Sequence, residues 1–189
     1  MRTFSLIGLL GIVIALALTP TYYLVQRDPN TILALDVYGI DSAVRALQPQ
    51  VEAYTGGGEF GAGLINGLPV ALGVFKIHVA NRKAYVDALI SHRLPEEASI
   101  KVVEAVSDSV AVSIPAAVKA LVAKRDEFDA AGLRDVVRVT LQVLKYDHDS
   151  LSDTIKLKLQ GPREKALIGE AGVKAVDDAI DEAILAFSR

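Results

Sequence analysis

One uncharged hydrophobic stretch near the start of the chain constrains its fold and its cellular location more than any other feature. Residues 4–25 contain no charged residue, Arg2 stands before them, and Arg27 and Asp28 follow. A helix needs about 20 apolar residues to cross the hydrocarbon core of a bilayer, so this stretch is long enough to span it with some tilt. Positive charge is retained on the cytoplasmic side. Arg2 therefore predicts that the N-terminus is inside and that the rest of the chain lies outside.

The same stretch also fits a removable secretory signal. Arg2 would be its basic region, Leu6–Ile14 its apolar region, and Ala15–Ala17 its cleavage site. Apolarity resumes after Pro20, however, and Tyr22 and Tyr23 fall where a spanning helix has its interfacial aromatic belt. We therefore favour an uncleaved signal-anchor at residues 1–27 that contacts membrane lipid through residues 4–25. Residues 28–189 would then be an extracytoplasmic, periplasmic domain of a single-pass protein of the cell membrane.

The start of the chain has a family resemblance. Phe4-Ser5-Leu6-Ile7-Gly8-Leu9-Leu10, followed by Ile12-Val13-Ile14-Ala15, resembles the hydrophobic start of type IV pilins and pseudopilins. The resemblance implies a long helix that runs from the membrane into residues 33–54. Such proteins carry a Gly before the Phe and usually a Glu a few residues later, where this sequence has Thr3 and Gly8. A pilin-like subunit is therefore kept as an alternative.

The composition excludes several classes of function. The chain has no Cys, so disulfides, thiol catalysis and thiolate metal sites are all ruled out. Its net charge of −3 at pH 7 provides no basic surface for nucleic acid. The absence of Trp also argues against a platform on which bases or sugars stack. The part outside the membrane is long enough for one domain with its own hydrophobic core.

Apolar residues recur at helical spacing in several parts of this domain. One stripe predicts a helix over residues 33–54, with a kink near Leu47 because Pro49 removes a backbone hydrogen bond. Further helices are expected from Asn81 to Arg93, over 116–131 with an end at Gly132, and over 163–187 at the C-terminus.

Other segments alternate apolar and polar residues, which is typical of strands with one buried face. The pattern predicts a strand over 75–79 and an antiparallel hairpin with strands at 137–143 and 155–159. Residues 99–114 suit strands around a turn at 107–109, although Pro95 also fits a helix start. The predicted fold class is α+β: one N-terminal transmembrane helix, then an antiparallel sheet packed with several helices, including a long C-terminal helix.

The region over residues 55–75 combines glycine with a surplus of apolar residues. Its Gly-rich part, Thr55–Gly63, lacks the Lys-Ser/Thr of a phosphate-binding loop, so it predicts a flexible connector. The apolar run that follows is interrupted at Asn66, Gly67 and Pro69 and is too short to cross a bilayer. The sequence leaves open whether residues 60–73 contact lipid, a protein partner or the core.

Three histidines, His78, His92 and His148, are the candidates for proton transfer near neutral pH. His148 lies between Asp147 and Asp149, and such a trio could share a metal ion. In the predicted hairpin loop, however, adjacent side chains point in different directions, so a solvated turn is the preferred interpretation.

The acidic pairs Glu96-Glu97 and Asp126-Glu127 could supply paired carboxylates, but each falls near a helix end or on a polar face, where solvated acids are common. No G-x-S-x-G motif is present. We therefore predict no catalytic residue, no cofactor site and no metal site.

These observations support several functional hypotheses. The leading one is a non-enzymatic, membrane-anchored accessory or assembly subunit of an envelope membrane protein complex, with a protein partner and no nucleic acid. The first alternative is a carrier of a lipid or small apolar ligand, and the pilin-like subunit is another. An exported hydrolase with its site near His148 is the hypothesis from the enzyme class.

Overall fold

The structure is a computed structural model, and it describes residues 30–189. Three predictions fall outside this range: the anchor at 4–25, the cleavage site at 15–17, and the pilin-like start. Within the described range, all the regular elements are helical. They are α1 (Ile32–Glu52), α2 (Phe60–Asn66), α3 (Leu68–Ile90), α4 (Glu96–Ala105), a π-helical segment (Val106–Val110), α5 (Ala111–Ala123), α6 (Arg125–Ala130), α7 (Arg134–Lys156) and α8 (Arg163–Ala186).

The long helices pack as a ring of five. Helix α1 packs against α3 on one side and against α4, the π-helical segment and α5 on the other. Helix α3 packs against α7, α7 against α8, and α8 against α5, which closes the ring. Helices α4 and α5 act as one member of the ring, since they and the π-helical segment form one run of 28 residues.

Two contacts fix the relative direction of α1 and α3. Gly73 at the start of α3 lies against Leu47 near the end of α1, and Lys83 further along α3 pairs with Asp36 near the start of α1. These two helices are therefore antiparallel. We call the end of the bundle where α1 ends and α3 begins the base, and the opposite end the top.

Aromatic side chains close the base of the bundle. The Tyr54 ring stacks on Phe128 with 4.1 Å between centroids, and Phe128 meets the edge of Phe187 at 6.3 Å. All three side chains are at most 3% exposed. Higher in the bundle, small residues line the helix contacts, and Ala84, Ala88, Ala105 and Ala183 have no exposed surface.

The predicted antiparallel sheet is wrong, because the predicted strands at 75–79 and 137–143 are helical and the one at 155–159 covers the end of α7 and the turn after it. Residues 75–79 lie inside α3, and residues 137–143 lie inside α7, which continues to Lys156. The alternation that suggested a strand used Val137, Val139, Leu141 and Val143, but Leu141 is buried whereas Val143 is 42% exposed. The buried residues of α7 include Leu141, Leu151 and Ile155, at helical spacing.

The open choice at residues 99–114 is settled in favour of helix. This segment runs through α4, the π-helical segment and the start of α5. Its valines suited strands only by propensity, and packing overrides propensity because Val102, Val103 and Val110 enter the core. Pro95 does precede the first turn of α4.

The helical predictions at 33–54 and 163–187 are confirmed by α1 and α8. Helix α1 buries the predicted stripe and continues through Pro49, which lies in its last turn. Gly132 follows α6 with a φ of 67°, a conformation that favours glycine. The helix expected to begin at Asn81 instead begins at Leu68 and ends at Ile90.

Two parts of the described chain have the length and composition of a membrane span. One is the run Glu96–Ala123, and the other is α2 with α3, which meet at a 55° bend. A core helix of a soluble protein can pass the same test. Composition alone therefore does not place either segment in a membrane.

Candidate functional site

Two buried polar side chains face the interior of the bundle without hydrogen-bond partners among the described residues. The Oδ1 atom of Asn81 on α3 and the Oγ atom of Ser113 on α5 both lack a partner. Asn81 is 6% exposed and Ser113 is 4% exposed. Each lies on the buried stripe of its helix. Buried polar groups are nearly always paired, so an unpaired one needs an explanation.

Cross-helix contacts place these two side chains at the same height in the bundle. Arg82, next to Asn81, contacts Asp147 on α7, and the neighbouring His148 contacts Asp177 on α8. Gly172 lies against Val106 and Ala111, so residue 177, further along α8, is close to the level of Ser113. We call Asn81 and Ser113 the interior polar pair.

His148 occupies the same level on the side of α7 that faces α8. Burial lowers its pKa, and the charges of Asp177 and Asp149 offset this only in part. Its Nε2 atom is 3.5 Å from Oδ1 of Asp177. The hairpin loop predicted around His148 is therefore wrong, because the residue lies in the middle of a helix.

Ligand atoms of His148, Asp149 and Asp177 lie within 4.8 Å of one another, so the structure brings together donor types that can bind a metal. The ammonium group of Lys145 is 3.1 Å from Asp177 and 3.5 Å from both Asp149 and Asp181. A cation from the chain itself thus neutralises part of this cluster.

A buried carboxylate joins α3 to α7. Asp147 is 2% exposed, and its Oδ2 atom is 2.5 Å from Nδ1 of His78. Arg82 lies 3.5 Å from the other oxygen, and its guanidinium also stacks 4.6 Å from the ring of Tyr85. These contacts hold the two helices in register next to the interior polar pair.

A second acidic group lies at the interface of α1 and α3. Asp36 and Asp87 each approach the ammonium of Lys83 at 2.5 Å. Burial raises the pKa of Asp36 from 3.8 to about 6, because Lys83 only partly offsets the loss of solvent and Asp87 adds repulsion. An open depression of about 410 Å³ beside it is lined by Leu35, Gly39 and Ala80 together with this ion pair.

We expect Asp36→Asn to raise the free energy of unfolding more at pH 8 than at pH 4.5, with a difference of about 2 kcal/mol between the two. The raised pKa means that folding favours the protonated carboxyl. The protonated carboxyl of Asp36 stabilises the folded chain fully below pH 3.8. This stabilisation is lost as the pH rises through about 6. Urea unfolding at both pH values measures the difference. An equal effect of the substitution at both would contradict it.

The other residues considered from sequence are exposed or paired on the surface. His92 lies on the surface just after α3. Glu96 and Glu97 lie in the first turn of α4, and Asp126 and Glu127 in the first turn of α6, as expected near helix ends. Sequence reasoning missed Asp36, Asn81 and Ser113. In retrospect, their only signal is a polar residue at helical spacing within an apolar stripe.

Comparisons with known proteins give one family and several similar folds. No curated protein sequence matches the chain. The solved structure "AFMP4P in complex with palmitic acid" has a TM-score of 0.73 at 22% identity, over 82% of this chain and 97% of its own. Ligand-binding domain 1 of the Penicillium marneffei MP1 protein, complexed with arachidonic acids, has a TM-score of 0.74 at 21% identity, over 86% and 100%. Domain 2 of that protein, complexed with multiple arachidonic acids, has a TM-score of 0.72 at 21% identity, over 86% and 97%.

At these identities the solved structures establish the fold, which is helical. The family model for "hydrophobic surface binding protein A" matches residues 33–156, which extend from α1 to the end of α7. The matched part includes Asp36, Asn81, Ser113 and Asp147. The chain therefore belongs to the HsbA, or hydrophobic surface binding protein A, family.

Proposed function

We propose that this chain binds a fatty acid, or a similar single-chain lipid, between the helices of its bundle without catalysing a reaction. The observation that carries the proposal is the interior polar pair, because Oδ1 of Asn81 and Oγ of Ser113 are buried without hydrogen-bond partners among the described residues. A bound head group would supply the missing hydrogen bonds while its chain occupies the apolar interior. The family and the fatty acids in the similar structures support this function.

The pair also limits the chemistry of the head group. Asn81 Oδ1 can only accept a hydrogen bond, whereas the Ser113 hydroxyl can donate or accept one. A protonated carboxylic acid offers both a donor and an acceptor. The proposal therefore favours the acid form of the lipid over an ester.

The α4–α5 run is where the bundle can most easily make room. Its π-helical segment interrupts the regular α-helical hydrogen-bond pattern, and Pro115 removes a further backbone bond. No disulfide restrains the helices, because the chain has no Cys. Movement of this run away from α3 would open the space between Asn81 and Ser113.

This function corresponds to the first alternative from the sequence, a lipid or apolar ligand carrier. The comparisons favour it over the accessory subunit of an envelope complex. The extracytoplasmic location remains a prediction from residues 4–25, and we include it in the proposal.

The test is Ser113→Ala. In the full chain, freed of lipid, we expect palmitic acid to bind about tenfold more weakly, because one head-group hydrogen bond is lost. The ligand-free variant should be more stable by about 1 kcal/mol, because an unpaired buried hydroxyl is removed. Titration calorimetry and urea unfolding measure the two effects.

Ser109→Ala is the matched control. The Ser109 hydroxyl lies on the same helical run and is equally buried, but it donates a hydrogen bond to the carbonyl of Ala105. Its removal should leave palmitic acid affinity unchanged. Methyl palmitate, which has no O–H donor, should bind the wild type more weakly than palmitic acid does. Failure of the wild type to bind palmitic acid would refute the proposal.

A further inference from the structure

Large apolar side chains crowd the outer surface at the base, where α2 meets α3. Phe60 is 47% exposed, Ile65 67%, Leu68 51% and Leu72 60%. Residues 60–75 include no charged residue, and the nearest charges along the chain are Glu59 and Lys76. We call residues 60–75 the base corner. Contiguous apolar surface of this kind marks an interaction site more often than chance exposure.

The inner side of the base corner combines buried glycines with Val70 and the partly buried Leu64 and Val74. Gly63 is buried, and a Cβ atom added there would lie 2.4 Å from Cβ of Ala131. A Cβ atom on Gly73 would lie 2.7 Å from Cδ1 of Leu47. Glycine thus faces the protein while Phe60 and Leu72 face outward. A surface helix of a soluble protein normally buries its largest apolar side chains, whereas helices that pack within a bilayer place small residues between them.

Hydrogen bonds hold the corner in this orientation. The Asn66 amide donates to the carbonyl of Gly56 at 2.6 Å, and the Tyr54 hydroxyl donates to the carbonyl of Gly63 at 3.4 Å. Gly56 precedes α2 with a φ of 73°, which fixes the turn into it. Turning the large side chains of α2 inward would break these contacts and would meet the backbone of α6. Their exposure is therefore built into the fold.

We propose that the base corner docks on an uncharged lipid surface, with Phe60, Ile65, Leu68 and Leu72 inserted among the acyl chains. Together α2 and α3 have the length and apolarity of one bent membrane span, and their 55° bend suits shallow insertion. The corner supplies no cation for anionic head groups, so a zwitterionic surface fits it better than an anionic one. Its role in collecting an apolar ligand rests on the proposed function, although docking itself does not.

Two other occupants fit the observations less well. A protein partner would normally meet an apolar centre with a polar rim that fixes its orientation, and the corner has Glu59 and Lys76 only at its two ends. In a dimer, the base corners of two copies would face each other. No charged pair would then fix the register of the two corners. The experiment distinguishes both from lipid.

A single fluorophore can test the docking, because the chain has no Cys. Leu72→Cys places a nitrobenzoxadiazole label on the corner. Leu157→Cys, at a position 71% exposed near the top, places a matched label roughly 30 Å away, given the length of α3. The labelled full chains are mixed with phosphatidylcholine vesicles whose acyl chains carry a spin label. A label inserted among the chains is quenched, and one in water is not.

We expect the label at residue 72 to be quenched at least about twofold and the label at 157 to be quenched much less. Equal quenching at both positions would contradict docking through the corner. The double substitution Ile65→Ser and Leu68→Ser should weaken this docking by about tenfold or more, because two apolar side chains no longer leave water. Replacing 30% of the lipid with phosphatidylglycerol should not strengthen it. Circular dichroism of the variants should show unchanged folding, because the replaced side chains are exposed.

The outcomes that overturn docking are distinct from failure of ligand binding. Quenching at residue 157 alone would show that the chain is held by its top, and quenching at neither position would show no docking. A spectral shift of the label at 72 that grows with protein concentration in the absence of vesicles would assign the corner to a second copy. Palmitic acid binding by the Ile65→Ser and Leu68→Ser chain should remain normal. If the wild type does not bind palmitic acid, the ligand proposal is refuted. The quenching experiment still tests docking independently.

Discussion

Replacing Phe128 with alanine is expected to lower the free energy of unfolding by about 3–5 kcal/mol, the largest effect of any single substitution considered for this chain. The Phe128 ring is 3% exposed and lies between Tyr54 and Phe187, so it joins the end of α1 to the end of α8. Its removal would leave a cavity at the base and would end both ring contacts. Urea unfolding followed by circular dichroism measures the loss.

Phe60→Ala is the control for this prediction. Phe60 is also at the base but is 47% exposed, so its replacement should change stability by about 0.5 kcal/mol or less. Equal losses for the two substitutions would show that the aromatic cluster does not hold the base together.

The second large effect is expected from His78→Ala, which should destabilise the chain by about 2–3 kcal/mol. Asp147, which is 2% exposed, would lose the His78 ring nitrogen that lies 2.5 Å from its Oδ2 atom. The guanidinium of Arg82, 3.5 Å from Oδ1, would be a weaker replacement. Breaking a buried pair from one side is costly because a charge is left in a medium of low polarity. Thermal and urea unfolding at neutral pH measure the change.

Two further variants separate this mechanism from simple loss of packing. Adding Asp147→Asn to the His78→Ala chain removes the stranded charge and should recover about half of the lost stability. His92→Ala, at an exposed position, should have an effect of less than about 0.5 kcal/mol. A double variant that is no more stable than His78→Ala would indicate that His78 contributes by packing alone.

The sequence predicted the helices in which one apolar stripe at helical spacing is long and uninterrupted by a strand-like pattern. The stripe from Leu33 to Tyr54 and the one at the C-terminus were read correctly, because each helix buries one face and exposes the other. The helix end at Gly132 was also placed correctly, since few residues other than glycine adopt its backbone conformation, but the single helix predicted over 116–131 is divided into α5 and α6.

The predicted sheet failed where helices have apolar residues on more than one face. Val139 and Val143 alternate with polar residues on α7 and imitated a strand, although Val143 is exposed and the buried residues Leu141, Leu151 and Ile155 are at helical spacing. The buried polar side chains could not be found either. Nothing local distinguishes Ser113, which is buried without a partner, from a serine on a wet surface, because the difference depends on which helices pack around it.

The π-helical segment has a consequence for how this chain tolerates changes in length. A π turn holds one residue more than the α-helical turn that it replaces, so it absorbs that residue without changing which way α5 faces. Deleting a single residue between Val106 and Val110 would restore regular α-helical winding, and Ser113 and Ala117 would still face the interior. A deletion inside α5 itself would instead turn every later residue of that helix by about 100°. The π-helical segment is therefore the point in this run where the loss of one residue is best tolerated.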